Sequence, residues 1–166
     1  MYRLERVRLE HEAAISVFER ENRAYFAASI NDRGDEYFEN FSREHRRLLA
    51  EQATGNFKFH ILVDPDDAVV GRFNLFDLSD GSANVGYRVA QRVAGRGVAS
   101  AALRQLCTLA RDDYGLRTLR AATSHENIAS QRVLEKAGFV VDGPVEVGGR
   151  QGVSYELDLA TFEALT

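Results

Sequence analysis

The hydrophobic period of this chain changes near Gly55, and that change limits the folds it can adopt. Before Gly55, apolar side chains recur at helical spacing over residues 11–28 and 35–53, after a short strand-like segment at 3–9. After Gly55 they alternate as in strands, and the chain then mixes strands with helices. Strands are expected at residues 57–63, 69–78, 84–90, 116–122, 139–141 and 153–159, and further helices at 97–114 and 127–137.

Turn-forming residues fix the order of these elements. Gly115 and Gly138 stop the two later helices, because glycine suits the left-handed conformation after a last turn. The loop Asp142-Gly143-Pro144 and the turn Gly148-Gly149 are expected to separate the last two strands. Two helices, an antiparallel meander and a strand-helix-strand-helix-strand run together predict an α+β fold with a mixed sheet and about four helices.

Length and composition indicate one domain that spans residues 1–166. The chain has 166 residues, of which 45% are hydrophobic, and no repeat or linker divides it. Its single cysteine, Cys107, forms no internal bridge, which favours a reducing compartment. The charged start MYRLERVRL lacks the apolar core of a signal peptide, and no segment has the apolar length of a membrane span. We therefore expect a cytoplasmic protein without a membrane partner.

The charge pattern points to a small anionic ligand. The formal net charge is -4 with a pI near 5.6, which argues against nucleic-acid binding by broad phosphate neutralisation. Residues 81–111 nevertheless contain no acidic side chain. They carry five arginines, some of which are expected only to solvate a helix face, at Arg88, Arg92, Arg96, Arg104 and Arg111.

The glycine-containing junction between the strand at 84–90 and the helix at 97–114 is a candidate phosphate site. Helix N-termini expose unpaired N–H groups, and Gly95 and Gly97 allow a phosphate to approach that backbone. An unliganded turn is the alternative. A dinucleotide fingerprint is excluded because Ser100 holds its third small position and no acidic residue ends the next strand. A P-loop is excluded because no lysine lies between Lys58 and Lys136.

Three motifs together resemble those of the GNAT superfamily of acetyl-CoA-dependent N-acetyltransferases. In chain order they are Gly86-Tyr87-Arg88-Val89, Gly95-Arg96-Gly97-Val98-Ala99 and Asn127-Ile128-Ala129-Ser130-Gln131-Arg132-Val133-Leu134-Glu135-Lys136-Ala137-Gly138-Phe139. The chain is most similar to the branch that contains the ribosomal-protein N-terminal alanine acetyltransferases. The resemblance implies a twisted mixed sheet in which two central parallel strands splay apart to admit coenzyme A.

The resemblance also implies the roles of individual residues. The strand edge at Val89 binds the pantetheine amides, and its N–H serves the developing oxyanion. Asn127 contacts the pantetheine arm; an N-cap is its structural alternative, and both roles are compatible. The pyrophosphate is held by backbone N–H groups of the loop and first helical turn, with added charge from Arg96. These residues are Gly95, Arg96, Gly97, Val98, Ala99 and Ser100.

The chain departs from the superfamily pattern at two places, the phosphate-binding loop and the position of the general acid. The superfamily loop usually begins with Gln or Arg, but aligning Gly97 and Ala99 with its small residues places Ala94 there. A second alignment, Arg92-x-x-Gly95-x-Gly97, matches the superfamily loop pattern Q/R-x-x-G-x-G/A but begins the loop two residues earlier. Leu134 replaces the tyrosine that protonates the departing thiolate in many members. In the resembled branch a serine one turn earlier is the substitute, so Ser130 is the candidate catalytic acid; a helix-surface serine is the alternative.

The general base and the acceptor site are less defined. Asn84 stands where the branch often has a glutamate, which leaves His125, Glu126, Asp77 and His60 as candidates by position. The leading helices and the loop between the last two strands are expected to form the acceptor site. The acidic residues of the leading segment, Asp32, Asp35, Glu36 and Glu39, lie near Tyr25, Phe26, Tyr37 and Phe38. These side chains either surround an amine or, as the favoured alternative, solvate a helix start and enter the core.

The resulting hypothesis is an acetyl-CoA-dependent N-acetyltransferase without a metal. It acts as a monomer or homodimer and transfers the acetyl group directly, in a ternary complex, to a protein N-terminal amine or a small primary amine. Cys107 is interpreted as a small core residue rather than an acyl carrier. Two alternatives remain: acetylation of an amine-bearing antibiotic, and a non-catalytic acyl-CoA sensor, which the loss of acid and base at Leu134 and Asn84 would suit.

Overall fold

A seven-stranded sheet forms the centre of the protein. The computed structural model describes residues 1–163. The strands run in the spatial order β1-β2-β3-β4-β5-β7-β6. Their bounds are β1 (Arg3–Arg6), β2 (Lys58–Val63), β3 (Val69–Ser79), β4 (Ser82–Val89), β5 (Thr118–Ser124), β6 (Val140–Val147) and β7 (Arg150–Asp158). This mixed sheet confirms the α+β fold and places the predicted strands to within a few residues, apart from the last two.

The central strands part after a short pairing. β4 and β5 are the parallel pair of the sheet, and they pair only from Ser82 with Thr118 to Asn84 with Arg120. All the other neighbours are antiparallel. β4 nevertheless continues to Val89 and β5 to Ser124, each paired only on its outer side. The expected splaying is therefore present, as a wedge that opens beyond Asn84.

Within residues 1–163, six α-helices accompany the sheet, two more than expected, because each leading helix is interrupted. Their bounds are α1 (Glu12–Glu21), α2 (Arg23–Ala27), α3 (Asp35–Glu39), α4 (Phe41–Ala53), α5 (Val98–Asp112) and α6 (Ile128–Lys136). Asn22 ends α1: its side-chain amide donates to the Phe18 carbonyl at 2.9 Å, and its oxygen accepts from Gln91 N–H at 3.0 Å. Asn40 ends α3 through a similar bond to Glu36 O at 3.1 Å. Both side chains compete with the helical backbone for its hydrogen-bonding groups.

The prediction of a loop at Asp142-Gly143-Pro144 is wrong, since β6 runs through it with an irregularity between Val141 and Gly143. β6 lies at the edge of the sheet. An edge strand tolerates proline, whose missing N–H costs no ladder bond on the outer side. The local sequence has the composition of a loop, but its place in the sheet makes it a strand.

Helices cover both faces of the sheet. Arg72 and Phe73 are neighbours on β3, so their side chains point to opposite faces. Arg72 bonds Glu19 of α1 at 2.8 Å, while Phe73 stacks on Tyr87, whose hydroxyl contacts Ser130 of α6. α1 and α6 therefore lie on opposite faces. α5 contributes four fully buried side chains to the hydrophobic core that it forms with the sheet, and these are Leu103, Leu106, Cys107 and Ala110.

Candidate functional site

The wedge between β4 and β5 opens into two adjoining cavities. The first has a volume of about 420 Å³ and the second about 350 Å³. Both are lined by Tyr87 and Arg88 of β4 and by Asn127 and Ser130 at the start of α6. The two cavities therefore meet where the parting strands face α6.

The second cavity reaches the N-terminus of α5. Gly97 is the N-cap of this helix in a left-handed conformation, with φ 77°, and no side chain caps the free N–H groups of the first turn. Gly95 also has a positive φ, 74°. A Cβ atom at either glycine would meet no atom within 4 Å, so the backbone here faces open space. The helix start offers unpaired donors, and the helix dipole favours an anion there.

Most of the residues predicted to bind the cofactor line this second cavity, and these are Val89, Gly95, Gly97, Ala99, Ser100 and Asn127. Arg96 is exposed and lies outside the lining, and the Val98 side chain is buried in the core. Helix α5 begins at Val98. The alignment of Gly97 and Ala99 with the small residues of the superfamily loop therefore places both residues at the opening of this helix. The structure thus brings the loop and Asn127 together, but it does not bring Arg96 with them.

The positive charges at the second cavity come partly from residues that the sequence reasoning missed. Arg132 and Lys136 of α6 line it beside Ala129 and Val133. These positions are three and four residues apart, the spacing of one helix face, and that periodicity was the available signal. Of the five arginines at 81–111, only Arg88 lines a described cavity near the wedge. Arg92, for example, pairs with Asp64 at 3.2 Å.

The free edge of β4 faces the wedge. Ala90 N–H donates to Val70 O of β3 at 2.8 Å. In an antiparallel ladder successive residues turn their N–H groups to opposite sides, so the N–H of Val89 points away from β3 and toward the wedge. Since β5 no longer pairs with β4 at this level, that edge is open to a ligand.

Ser130, the candidate acid, lies where the two cavities meet, and it contacts a partner that the sequence did not indicate. Its Oγ is 3.1 Å from the hydroxyl of Tyr87. Its N–H donates to Asn127 Oδ1 at 3.2 Å, so Asn127 is the N-cap of α6 and also lines both cavities. Burial raises the pKa of Tyr87 to about 12, so its hydroxyl keeps its proton at neutral pH. Leu134, one turn after Ser130, is buried and has no acidic group.

The wall of the first cavity is rich in arginine. Arg33, Arg72, Arg88 and Arg150 line it. Glu19 of α1, 1% exposed, lies behind three of them, 3.1 Å from Arg33, 2.8 Å from Arg72 and 3.4 Å from Arg88. Burial by itself raises the pKa of Glu19, but the three guanidiniums outweigh that effect and hold the pKa below its usual range. Glu19 is therefore a buried anion that fixes the arginines in place.

The four candidate bases lie outside the first cavity. Asp77, His125 and Glu126 are exposed, and Glu126 pairs with Arg150 at 3.2 Å. His60 is buried on β2, between Phe73 O at 3.0 Å and the Tyr114 hydroxyl at 2.6 Å. Burial lowers the pKa of His60 to about 4, so the ring is neutral at pH 7. Among residues 1–163, no Asp, Glu or His lines the first cavity.

The acidic residues of the leading segment do not surround this cavity. Asp32 and Asp35 both bind Arg23, at 2.8 Å and 2.7 Å. The favoured alternative, that such acids solvate a helix start while Phe26 and Phe38 enter the core, describes their observed positions.

The burial of Cys107 argues against a covalent acyl-enzyme intermediate. Cys107 is fully buried in α5, where burial raises its pKa to about 12, so it is poorly suited to carry an acyl group.

Within residues 1–163, no group of three His, Cys, Asp or Glu side chains converges on a metal position. Likewise, none of the helices in this part of the chain combines the length and apolarity needed to cross a bilayer.

Comparison with known proteins identifies the family. The family model of the acetyltransferase (GNAT) domain matches residues 3–140. A Bacillus subtilis protein named "Probable N-acetyltransferase YjcK" is 29% identical over 130 residues, which cover 74% of this chain and 71% of that protein. The ribosomal-protein-S5-alanine acetyltransferase of Vibrio fischeri superposes with a TM-score of 0.87 at 17% identity, over 98% of this chain and 95% of its own. Mycobacterium smegmatis RimJ in complex with CoA-disulfide superposes with a TM-score of 0.84 at 24% identity, over 95% of this chain and 81% of its own. The family match covers most of the sequence, and the chain belongs to the GNAT acetyltransferase family.

Proposed function

We propose that this protein moves the acetyl group of acetyl-CoA to a primary amine by direct transfer in a ternary complex. The observation that carries the proposal is the meeting of the two cavities at Tyr87 and Ser130. One cavity leads to the open start of α5 and the other to a separate arginine-lined space. A thioester entering from one side and an amine from the other would meet at this point.

The residues of the second cavity fit coenzyme A. The free N–H groups after Gly97 suit a pyrophosphate, and Arg132 and Lys136 add positive charge. The N–H of Val89, which β5 leaves unpaired, suits the amides of the pantetheine arm or the oxyanion. Acetyl-CoA supplies an already activated acyl group, so the protein's work is positioning, charge stabilisation and proton transfer.

Proton transfer to the leaving group is assigned to Ser130. As the amine nitrogen bonds to the acyl carbon, the carbon–sulfur bond breaks and the sulfur takes a proton. Ser130 Oγ, held 3.1 Å from the Tyr87 hydroxyl, is assigned to donate that proton. The attacking nitrogen loses one proton as the amide forms, and this proton returns through Tyr87 to Ser130, so the acid is restored at the end of the step. Leu134 leaves no other acid on this turn of α6.

The amine loses its own proton with help from the cavity wall. No carboxylate or imidazole of the described residues lines the first cavity. Its guanidiniums, however, disfavour an additional positive charge and so lower the pKa of an amine beside them. The protonated acceptor therefore releases its proton to solvent more readily here than in water.

We assign the acceptor to the class of primary amines, with a protein N-terminal α-amine as the leading member. The Vibrio fischeri neighbour, whose name specifies a ribosomal-protein alanine, supports that choice. A small-molecule amine, including an antibiotic, is the second candidate, because the first cavity of about 420 Å³ is large enough for one. A cytoplasmic location, a single domain over residues 1–166 and a monomer or homodimer complete the proposal.

Two measurements test this function. Calorimetry with coenzyme A should detect a saturable complex, and thiol release from acetyl-CoA should follow the addition of an acceptor from a panel of amines and Ala- or Ser-initiated peptides. Saturable binding without turnover on any acceptor would favour the sensor alternative. Absence of any complex with coenzyme A would overturn the proposal.

A further inference from the structure

The charge of the first cavity restricts which amines it can accept. We propose that the acceptor carries a carboxylate close to the amine that is acetylated; this inference rests on the proposed function. Four arginines line the cavity, and within residues 1–163 no acidic side chain does. A cavity built to receive a simple cation or a polyamine would be expected to have the opposite charge.

The buried carboxylate of Glu19 compensates only part of this charge. It contacts Arg33, Arg72 and Arg88, so the three guanidiniums keep two positive charges in excess. Arg72 is buried, with 5% of its surface exposed, and it shares its single anion with two other arginines. A buried charge that is only partly balanced raises the free energy of the folded protein. Arg150, at the rim, pairs with the exposed Glu126 and adds a weaker contribution. A carboxylate on the substrate would offset one of the two excess charges and leave the cavity wall positive.

The arginines also have hydrogen-bond donors to spare. A guanidinium carries about five N–H donors. Arg33 directs two bonds at Glu19, Arg72 directs one at Glu19 and one at the Tyr37 hydroxyl, and Arg88 directs one at Glu19. Their other N–H groups have no acceptor among the described residues. A carboxylate matches the planar fork of a guanidinium and accepts two parallel bonds.

These donors line the same cavity as the proposed transfer point. Arg72 and Arg88 are paired neighbours on β3 and β4, and Arg88 directly follows Tyr87. The side chains of Tyr87 and Arg88 point to opposite faces of the sheet, but both line the first cavity together with Ser130 and Arg72. An anion held by Arg88 or Arg72 therefore shares this cavity of about 420 Å³ with the nitrogen that reacts beside Tyr87 and Ser130. Both an amino acid, through its α-carboxylate, and a peptide with an acidic second residue have this chemistry.

Matched acceptor pairs that differ only in the carboxylate test the inference. We would measure kcat/KM by thiol release for L-alanine against L-alaninamide, for Ala-Asp against Ala-Asn peptides of otherwise identical sequence, and for spermidine. The carboxylate member should be favoured about tenfold or more in one pair, because a charge-assisted pair is worth about 1.5–3 kcal/mol. The first pair reports a free amino acid as the source, and the second reports a peptide.

Variants then link the preference to the cavity. Arg33→Gln should move the carboxylate-to-carboxamide ratio toward one, and Arg150→Gln, at the exposed rim, should do so to a smaller extent without risk to the fold. Arg43→Gln changes the net charge equally on the exposed face of α4 and should keep the parent ratio. Retained coenzyme A binding and a cooperative melting transition would show that each variant is folded.

The outcomes separate this inference from the proposed function. Turnover with equal kcat/KM within both pairs, a preference for spermidine, or an unchanged ratio in both cavity variants would overturn the inference while leaving the acetyltransferase function standing. Saturable coenzyme A binding without turnover on any acceptor would overturn both.

Discussion

The hydroxyl of Tyr87 on β4 lies 3.1 Å from Oγ of Ser130 on α6, and the pair bridges the strand that borders the wedge and the helix that faces it. Asn127 fixes the same turn of α6 by accepting the Ser130 N–H. A strand motif and a helix motif that are 43 residues apart in sequence thus converge on two hydroxyl groups. Proton transfer at the proposed reaction centre depends on this pair.

Replacing Ser130 with alanine should lower kcat by about 100-fold, the scale of a lost general acid, with little change in the dissociation constant for coenzyme A. Tyr87→Phe should lower kcat less, by about tenfold, because Ser130 remains but loses its partner. Ser42→Ala, at an exposed serine of α4, is the control. Steady-state thiol release and calorimetry give the two constants. Unchanged turnover in Ser130→Ala would remove this residue from the mechanism.

A glutamate at Gly97 should abolish coenzyme A binding, because it places a negative side chain at the open start of α5. Gly115 offers a matched control just beyond the other end of the same helix. Its φ of 66° is close to the 77° of Gly97, and a Cβ atom added at either position would meet no atom within 4 Å. Gly115→Glu should therefore cost a similar backbone strain, about 1–2 kcal/mol, but retain coenzyme A binding. Calorimetry that finds equal affinities in the two variants would refute the assignment of this helix start.

Glu19→Gln should destabilise the protein by about 3–5 kcal/mol, because it leaves three close guanidiniums without their shared anion. Urea denaturation measures the free energy of unfolding. Glu10→Gln, which breaks an exposed pair with Arg8, should leave that free energy essentially unchanged. A loss as small as in the control would show that Glu19 does not hold the arginines together.

His60 should make the protein less stable as the pH falls from 7 to 5. Its folded pKa is lowered to about 4 by burial, below the usual value near 6.5, so the unfolded chain binds the extra proton first. The stability it supports is complete above the unfolded pKa and is lost as the pH falls toward the folded pKa, by about 2 kcal/mol between pH 7 and 5.

Urea titrations at several pH values test this. His60→Asn should flatten the dependence on pH, at lower stability near pH 7, because the bonds to Phe73 and Tyr114 are lost. His125→Asn, at an exposed loop position, is the control and should keep the parent slope. An equal slope in the parent protein and His60→Asn would contradict the burial of a neutral imidazole.

The sequence predicted the parts of this molecule that depend on local signals. Alternation located most of the strands, and the glycines before α5 marked its start. The break at Asn22 was missed because the side chain bonds Gln91, which is 69 residues away. The strand at Gly143-Pro144 was missed because only its place at the sheet edge makes proline acceptable.

The arginine wall could not be predicted for a similar reason. Two of its members, Arg72 and Arg88, lie on neighbouring strands, and the register that pairs them places both side chains beside Glu19. The third, Arg33, reaches Glu19 from a loop. In the sequence, Arg88 belonged to the acid-free stretch 81–111, which indicated a small anionic ligand but did not single out this arginine. Charge spacing along the chain gave no indication that Glu19 would be buried behind it.

The early parting of β4 and β5 also has a thermodynamic consequence. Three residue pairs join them, and beyond Asn84 the facing backbone groups have no strand to bond. A ligand that offers amide groups of its own to this edge acts as a missing strand, so occupancy and folding become linked equilibria. The melting temperature should then rise with ligand concentration, and deuterium uptake at Tyr87 and Val89 should slow, which makes the gap in the sheet a built-in reporter of occupancy.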